Sequence, residues 1–172
     1  MKVGIIGSGI IGLSTAFLIK ENYSNVEILI QSDKKNVMVT SYGAAGIFRP
    51  DPKLLPGSEY DHDQFNDFIR WCNAGREQYW KLATKPRYYM NYLLNELKNL
   101  IPNDQSIYSE REIAFTSSNE LYYWAKEQKI NIIINCTGLG SGYLFHDPEI
   151  RPVKGQLVRV LAPWMKFGFY FG

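Results

Sequence analysis

Apolar residues fall in short blocks along the start of the chain, separated by glycine and polar positions. Val3 to Ile6 is an unbroken apolar run that ends in Gly7, the pattern of a short strand buried on both faces of a parallel sheet. Leu13 to Asn22 continues as a helix. Its small residues Ser14, Thr15 and Ala16 permit close packing, and Phe17, Leu18 and Ile19 are expected toward the core. Val26 to Ile30 reads as a second strand. Strand, tight turn, helix and strand make one βαβ unit, with a right-handed connection expected.

Residues 34–58 are rich in Gly and Pro and read as loop. Residues 61–83 read as a helix with Phe65, Phe68, Ile69 and Cys72 on one face. A further helix follows from Met90, Leu93, Leu94, Leu97, Leu100 and Ile101 at the i, i+3, i+4, i+7 spacing, and it stops at Pro102. Ser117 and Glu120 form a capping box before "NELYYWAKEQ". "KINIIINCTGLGSG" is a strongly apolar strand, expected to be buried, that ends in a second glycine cluster. "GQLVRVLAPW" supplies a last strand, Gln156 to Leu161.

Composition narrows the function classes. The 172 residues are 45% hydrophobic and 21% charged, as in globular proteins. A formal net charge of +2, with no basic block interleaved with aromatics, argues against a nucleic-acid partner. Cys72 and Cys136 make no C-x-x-C pair and read as small buried thiols of a reducing compartment. His62 and His146 allow no zinc site of ordinary spacing, so no metal is expected. "MKVGIIG" is broken by glycines with no cleavage site after it, and no apolar segment is long enough to span a bilayer. An intracellular protein without a membrane partner is expected.

Gly7, Gly9 and Gly12 carry the chemistry. A pyrophosphate needs backbone N–H groups at close range. Gly7 lets the chain turn from strand to helix, Gly9 lets phosphate approach the backbone, and Gly12 lets the helix lie close on the strand. The helix N-terminus adds partial positive charge. Between a strand and a helix of one βαβ unit, this spacing points to a dinucleotide. The acid expected about twenty residues on, for a ribose hydroxyl, is Asp33, although Gln31 holds the tip of the second strand where an acid usually stands.

The second cluster bears on which dinucleotide. A bulky, retained flavin dinucleotide calls for a second backbone approach, whereas a nicotinamide site can manage with one. Gly138, Gly140 and Gly142 supply such an approach, or make only a flexible loop. Leu139 at the first glycine position before Ser141 rules out the G-x-S-x-G elbow.

Four stretches, "VGIIGSGIIGLSTA", "TSYGAAGIFRP", "IINCTGLGS" and "PVKGQLVRVLAPW", together resemble the D-amino-acid oxidase family, and somewhat more its D-aspartate oxidase branch. The resemblance implies an α/β chain: a Rossmann-like βαβ dinucleotide-binding domain with an incomplete, mainly β substrate domain. Residues 1–52 and 86–150 would form the discontinuous FAD-binding domain, and 53–85 with 151–172 part of the substrate domain. It implies noncovalent FAD, a D-amino acid substrate, oxygen as acceptor, and a peroxisomal location.

By matching motifs, Gly7, Ser8, Gly9, Ile10, Ile11 and Gly12 would meet the pyrophosphate. Asp33 and Lys34 would lie near the adenosine ribose. Thr40, Ser41, Ala45 and Gly46 would contact phosphates and flavin, and Thr137 and Ile113 would complete the nucleotide side. Arg49 is the one cation of the flavin-proximal motif. It would attract the side-chain carboxylate of D-aspartate or D-glutamate, or it is a solvated surface arginine.

The chain departs from the family at "YGAAG", where the family has "DVAAG", and looks shortened between Cys72 and Met90. The family's substrate-clamping arginine and tyrosines and its flavin-cradling glycine segment follow "APW" and have no match here. The expected reaction is oxidative deamination to a 2-oxo acid, ammonia and hydrogen peroxide. The alternatives are a catalytically deficient fragment that at most binds FAD, and a nicotinamide-dependent dehydrogenase.

Overall fold

Side chains alternate across a strand, and here the alternation sorts one short strand into two cores. Val3 and Ile5 join one apolar cluster, and Ile6 joins the other. The computed structural model describes residues 1–33, 62–81, 86–101 and 112–152. Its elements are β1 (Lys2–Ile6), α1 (Ile10–Asn22), β2 (Glu27–Gln31), α2 (His62–Lys81), α3 (Pro86–Leu100), α4 (Ser118–Glu127), β3 (Ile132–Asn135) and α5 (Gly140–Leu144). The described sheet has the order β2-β1-β3 and both pairings are parallel, with Val3 opposite Ile28 on one side and Ile132 on the other. The chain is thus mixed α/β.

Helices cover both faces. On one, α3 packs on α1, so that Met90, Leu93 and Leu97 meet Leu13, Ala16, Ile28 and Ile30. On the other, Leu121, Trp124 and Ala125 of α4 cover Ile6 and Leu29. The connection from β1 through α1 to β2 therefore uses one face, and α4, which leads into β3, uses the other. Connections diverge between β1 and β3. In open α/β sheets that divergence leaves a crevice beyond the carboxyl ends of the strands.

The helix expected from Leu13 starts three residues earlier, at Ile10, because Gly7 makes the turn alone, with φ +112. Leu18 does not face the core and is 52% exposed. The buried stripe of α1 is Leu13, Ala16 and Lys20, which recur at helical spacing, and Leu18 falls on the opposite side. Lys20 is buried along its stem while its ammonium donates to the carbonyls of Ser24 and Val26, 2.6 and 3.0 Å away. It thereby ties the last turn of α1, where cations are favoured, to the turn that leads into β2.

The strand expected to be buried at Ile132 lies instead at the edge of the described sheet, with Ile132 45% exposed. Isoleucine content reports strand propensity; whether both faces are covered depends on neighbours that periodicity does not reveal. The expected helices appear at α2, α3 and α4. Ser117 caps α4 by accepting from the Glu120 N–H at 3.4 Å. The Glu120 carboxylate reaches Thr116, accepting from its N–H at 2.8 Å and its hydroxyl at 2.9 Å, so the capping box is shifted by one residue. The loop read at 34–58 and the strand read at Gln156 to Leu161 lie outside the described residues. So does most of the expected substrate domain, of which α2 is the main described part.

Candidate functional site

Three walls meet at the carboxyl ends of β1, β2 and β3. The first is the glycine turn. The Gly7 N–H extends the β1–β2 pairing by donating to the Gln31 carbonyl at 2.8 Å. A Cβ on Gly7 would overlap the Cys136 carbonyl, so β1 and β3 converge here more closely than any other residue permits. Ser8 is buried and its hydroxyl donates to the Ser32 hydroxyl at 3.0 Å, which ties the turn to the end of β2. Gly9 caps α1 in an ordinary extended conformation (φ −73, ψ −176) and brings no side chain to the helix end. No acidic residue stands in the first turn of α1. A Cβ on Gly12 would overlap the Gly7 carbonyl, so its absence seats α1 against the turn. The result is a helix N-terminus, with its partial positive charge, aimed at the crevice.

The second wall is the end of β3. The Cys136 N–H donates to the Ile6 carbonyl at 2.8 Å and carries the pairing past the strand. Gly138 then takes φ +57, and what the sequence suggested could be a flexible loop forms the short helix α5. Asn135, Thr137 and Ser141 are joined by side-chain hydrogen bonds of 2.7 to 3.0 Å. The Cys136 thiol is half-buried. Desolvation raises its pKa, against a smaller opposing effect of a hydrogen bond with Thr15.

The third wall joins β2 to residues 112–116. The Ile113 N–H donates to the Ser32 carbonyl at 3.3 Å. Gln31 is fully buried, and its Nε2 donates to the carbonyls of Ser32 at 3.1 Å and Ile113 at 3.5 Å. Its carboxamide therefore belongs to the wall. Asp33, two residues on, is exposed at the lip. Behind this wall Phe115 packs on Trp124, ring centres 5.6 Å apart.

The walls border an open crevice of about 890 Å³. Gly7, Ser8, Gly9, Ile10, Ile11, Asp33, Ile113 and Thr137, all expected from the sequence, line it together, and Gly12 lies just outside the lining. Lys34, Thr40, Ser41, Ala45, Gly46 and Arg49 lie outside the described residues. Residues not foreseen also line it: Ser32, Ala114, Phe115, Thr116, Asn135 and Ser141 among them. The signal for Asn135 and Ser141 was present, since both flank the "CTG" turn. Ala114, Phe115 and Thr116 carry no motif of their own; they reach the site beside Ile113, whose N–H bonds the Ser32 carbonyl and whose carbonyl accepts from Gln31.

The donor set suits a dinucleotide. One wall offers a helix N-terminus for diphosphate, another an exposed carboxylate for a ribose hydroxyl, and the remaining lining is mostly apolar. Among the described residues, no three His, Cys, Asp or Glu side chains cluster as metal ligands, and no helix is long and apolar enough to cross a membrane.

No family model matches the chain. Curated relatives do, over nearly all of it. It is 25% identical over 213 aligned positions to a D-amino acid oxidase of Dugesia ryukyuensis, covering 98% of this chain and 64% of that protein. It is 24% identical over 209 positions to human D-aspartate oxidase, covering 96% of this chain and 61% of that protein. A stretch of 32 residues is 56% identical to a D-amino-acid oxidase of Streptomyces coelicolor, covering 19% of this chain and 10% of that one. The chain thus spans about three-fifths of the length of the first two relatives. Both of those alignments are longer than the chain itself, so the relatives carry residues between the matched stretches that this chain lacks. The resemblance read from the four motifs is borne out along the chain.

Proposed function

We propose that this chain, a relative of the D-amino-acid oxidases over nearly its whole length, forms a Rossmann-like unit that binds FAD noncovalently for oxidation of D-amino acids. The observation that carries this reading is the two-sided crevice, in which the glycine turn of β1 and the "CTG" turn of β3 line one cavity. A dinucleotide with a large second half needs both backbone approaches. A nicotinamide dinucleotide needs only the first, which makes the dehydrogenase reading the weaker one.

In this reading Gly7 to Gly12 and the start of α1 hold the pyrophosphate, and Asp33 holds a ribose hydroxyl. Ile113 and Thr137 close the nucleotide side. Lys34, Thr40, Ser41, Ala45 and Gly46 join them on the resemblance alone. FAD, when bound, supplies the acceptor for a hydride from the substrate Cα and returns the electrons to molecular oxygen. The chain's own residues orient and screen. The turn presents N–H groups to charge, and the apolar lining from residues 113–115 excludes water from the nucleotide.

D-Aspartate or D-glutamate is the proposed substrate, on the branch resemblance and on Arg49 as a partner for the second carboxylate. The assignment of 1–52 and 86–150 to one FAD-binding domain and a peroxisomal location belong to the same proposal.

The test is to incubate the purified chain with FAD or with NAD, pass it through gel filtration and record the absorption spectrum. Retention of a flavin band is the expected result. Retention of NAD without FAD would move the protein to the dehydrogenases. Oxygen consumption across a panel of D-amino acids then tests the substrate. Faster turnover of D-alanine or D-proline than of D-aspartate would remove the acidic preference. FAD retained without any turnover would leave the chain as a flavin-binding, catalytically deficient unit.

A further inference from the structure

The hydrogen bonds at the end of β3 have a direction that can be worked out atom by atom. The Thr137 backbone N–H donates to one terminal atom of the Asn135 carboxamide at 3.1 Å. A backbone N–H cannot reverse its role, so that atom is the carboxamide oxygen and the orientation of Asn135 is fixed. Oxygen Oδ1 also lies 2.7 Å from the Thr137 hydroxyl. An amide oxygen carries no proton, so the Thr137 hydroxyl spends its single proton there. The Asn135 Nδ2 donates to the Ser141 hydroxyl at 2.8 Å. Thr137 and Ser141 hydroxyls are 3.0 Å apart. With the Thr137 proton committed, Ser141 must be the donor of that bond. Asn135 gives to Ser141, Ser141 to Thr137, and Thr137 back to Asn135: a closed ring in which all bonds run the same way round, the arrangement in which each bond polarises the next.

All three residues line the crevice. The ring's consequence is chemical. Neither hydroxyl has a proton left for a ligand, so both can only accept. A phosphate oxygen, itself an acceptor, gains nothing from them, whereas a sugar or ribitol hydroxyl, which donates, does. Resting on the FAD reading above, we infer that Asn135 is a positioning residue that holds the Thr137 hydroxyl as an acceptor for a ribose or ribitol hydroxyl of the bound dinucleotide.

The experiment measures FAD affinity by flavin fluorescence in the wild-type chain, Asn135→Ala, Thr137→Val and the double variant, with inorganic pyrophosphate as a competing probe. Loss of one hydrogen bond sets the expected weakening of FAD binding at about two- to tenfold in each single variant. The double variant should be no weaker than the weaker single, because Asn135 acts through Thr137. Pyrophosphate competition should be unchanged by Asn135→Ala. Additive losses, an unchanged FAD affinity in Asn135→Ala, or an equal loss for pyrophosphate would each overturn the inference.

Amide hydrogen exchange at Thr137 reads, without any ligand, whether the Asn135 oxygen faces the Thr137 N–H, the orientation on which the ring rests. Protection is expected in the wild type and in Asn135→Asp, which keeps the acceptor oxygen, and should be lost in Asn135→Ala. Exchange that is equally fast in all three would overturn that orientation and the ring built on it. A wild-type chain that binds no FAD would overturn the functional reading and the ligand contact with it, while exchange still decides the orientation of Asn135.

Discussion

Gly7 faces the carbonyl of Cys136 so closely that a single added Cβ would overlap that oxygen. The contact spans the point where the ends of β1 and β3 converge, and it sets the width of the crevice floor.

The glycine positions should separate into stability and binding roles. Gly7→Ala has both a positive φ and the Cys136 carbonyl against it, and an unfavourable backbone region alone costs about 1–3 kcal/mol. Urea unfolding should show at least that loss. Gly9 already sits in a conformation open to any residue, so Gly9→Val should unfold near the wild-type midpoint yet retain no flavin. Full flavin occupancy in Gly9→Val would mean that the diphosphate lies elsewhere.

Leu97 and Leu18 provide a paired test of the packing. Leu97 is completely buried between α3 and α1, and Leu→Ala at such a site costs roughly 2–5 kcal/mol. Leu18 is 52% exposed, and Leu18→Ala should change stability by no more than about 0.5 kcal/mol. Equal losses in denaturant titrations would place α1 the other way round.

The cap of α4 should make a small, acid-sensitive contribution. Glu120 has a lowered pKa, chiefly because the Thr116 N–H donates to its carboxylate and then because the Thr116 hydroxyl does. A carboxyl whose pKa is depressed by folding stabilises above its unfolded value. That stability is lost as pH falls from the ordinary glutamate range through the folded value. The stability gap between the wild type and Glu120→Gln should therefore be present at neutral pH and close on acidification across that interval. A gap that widens in acid would reverse the sign of the cap.

Cys136 should be a sluggish thiol. Burial raises its pKa, so little thiolate is present at neutral pH. Iodoacetamide labelling followed by mass spectrometry should modify it more slowly than an unstructured cysteine peptide. Bound FAD should slow it further, because Cys136 lines the crevice. Labelling as fast as the free peptide would mean that the end of β3 opens readily.

The sequence by itself determined the βαβ unit, the helices α2, α3 and α4, and the identity of the glycine turn. These rest on local rules. Three glycines at fixed spacing, apolar residues at helical period and a Ser–Glu capping pair need no knowledge of the rest of the chain. It also held enough motif to point to a family, since "GSGIIG" and "NCTG" are read in order along one chain.

What it could not set was which residues share a wall. Leu18 looks as apolar as Leu13, yet only one falls on the stripe that α3 covers. Ile132 belongs to an apolar run but lies at the edge of the described sheet. Gln31 stands where an acid is expected and turns inward to bind the carbonyls of Ser32 and Ile113, leaving Asp33 at the lip. Ala114, Phe115 and Thr116 enter the site across about eighty positions of chain, carried there by the bond of the Ile113 N–H to the Ser32 carbonyl, between backbone groups that carry no sequence signature. Local pattern fixes an element and its apolar face. Tertiary structure alone brings three strand ends together and sets the direction of the hydrogen bonds between them.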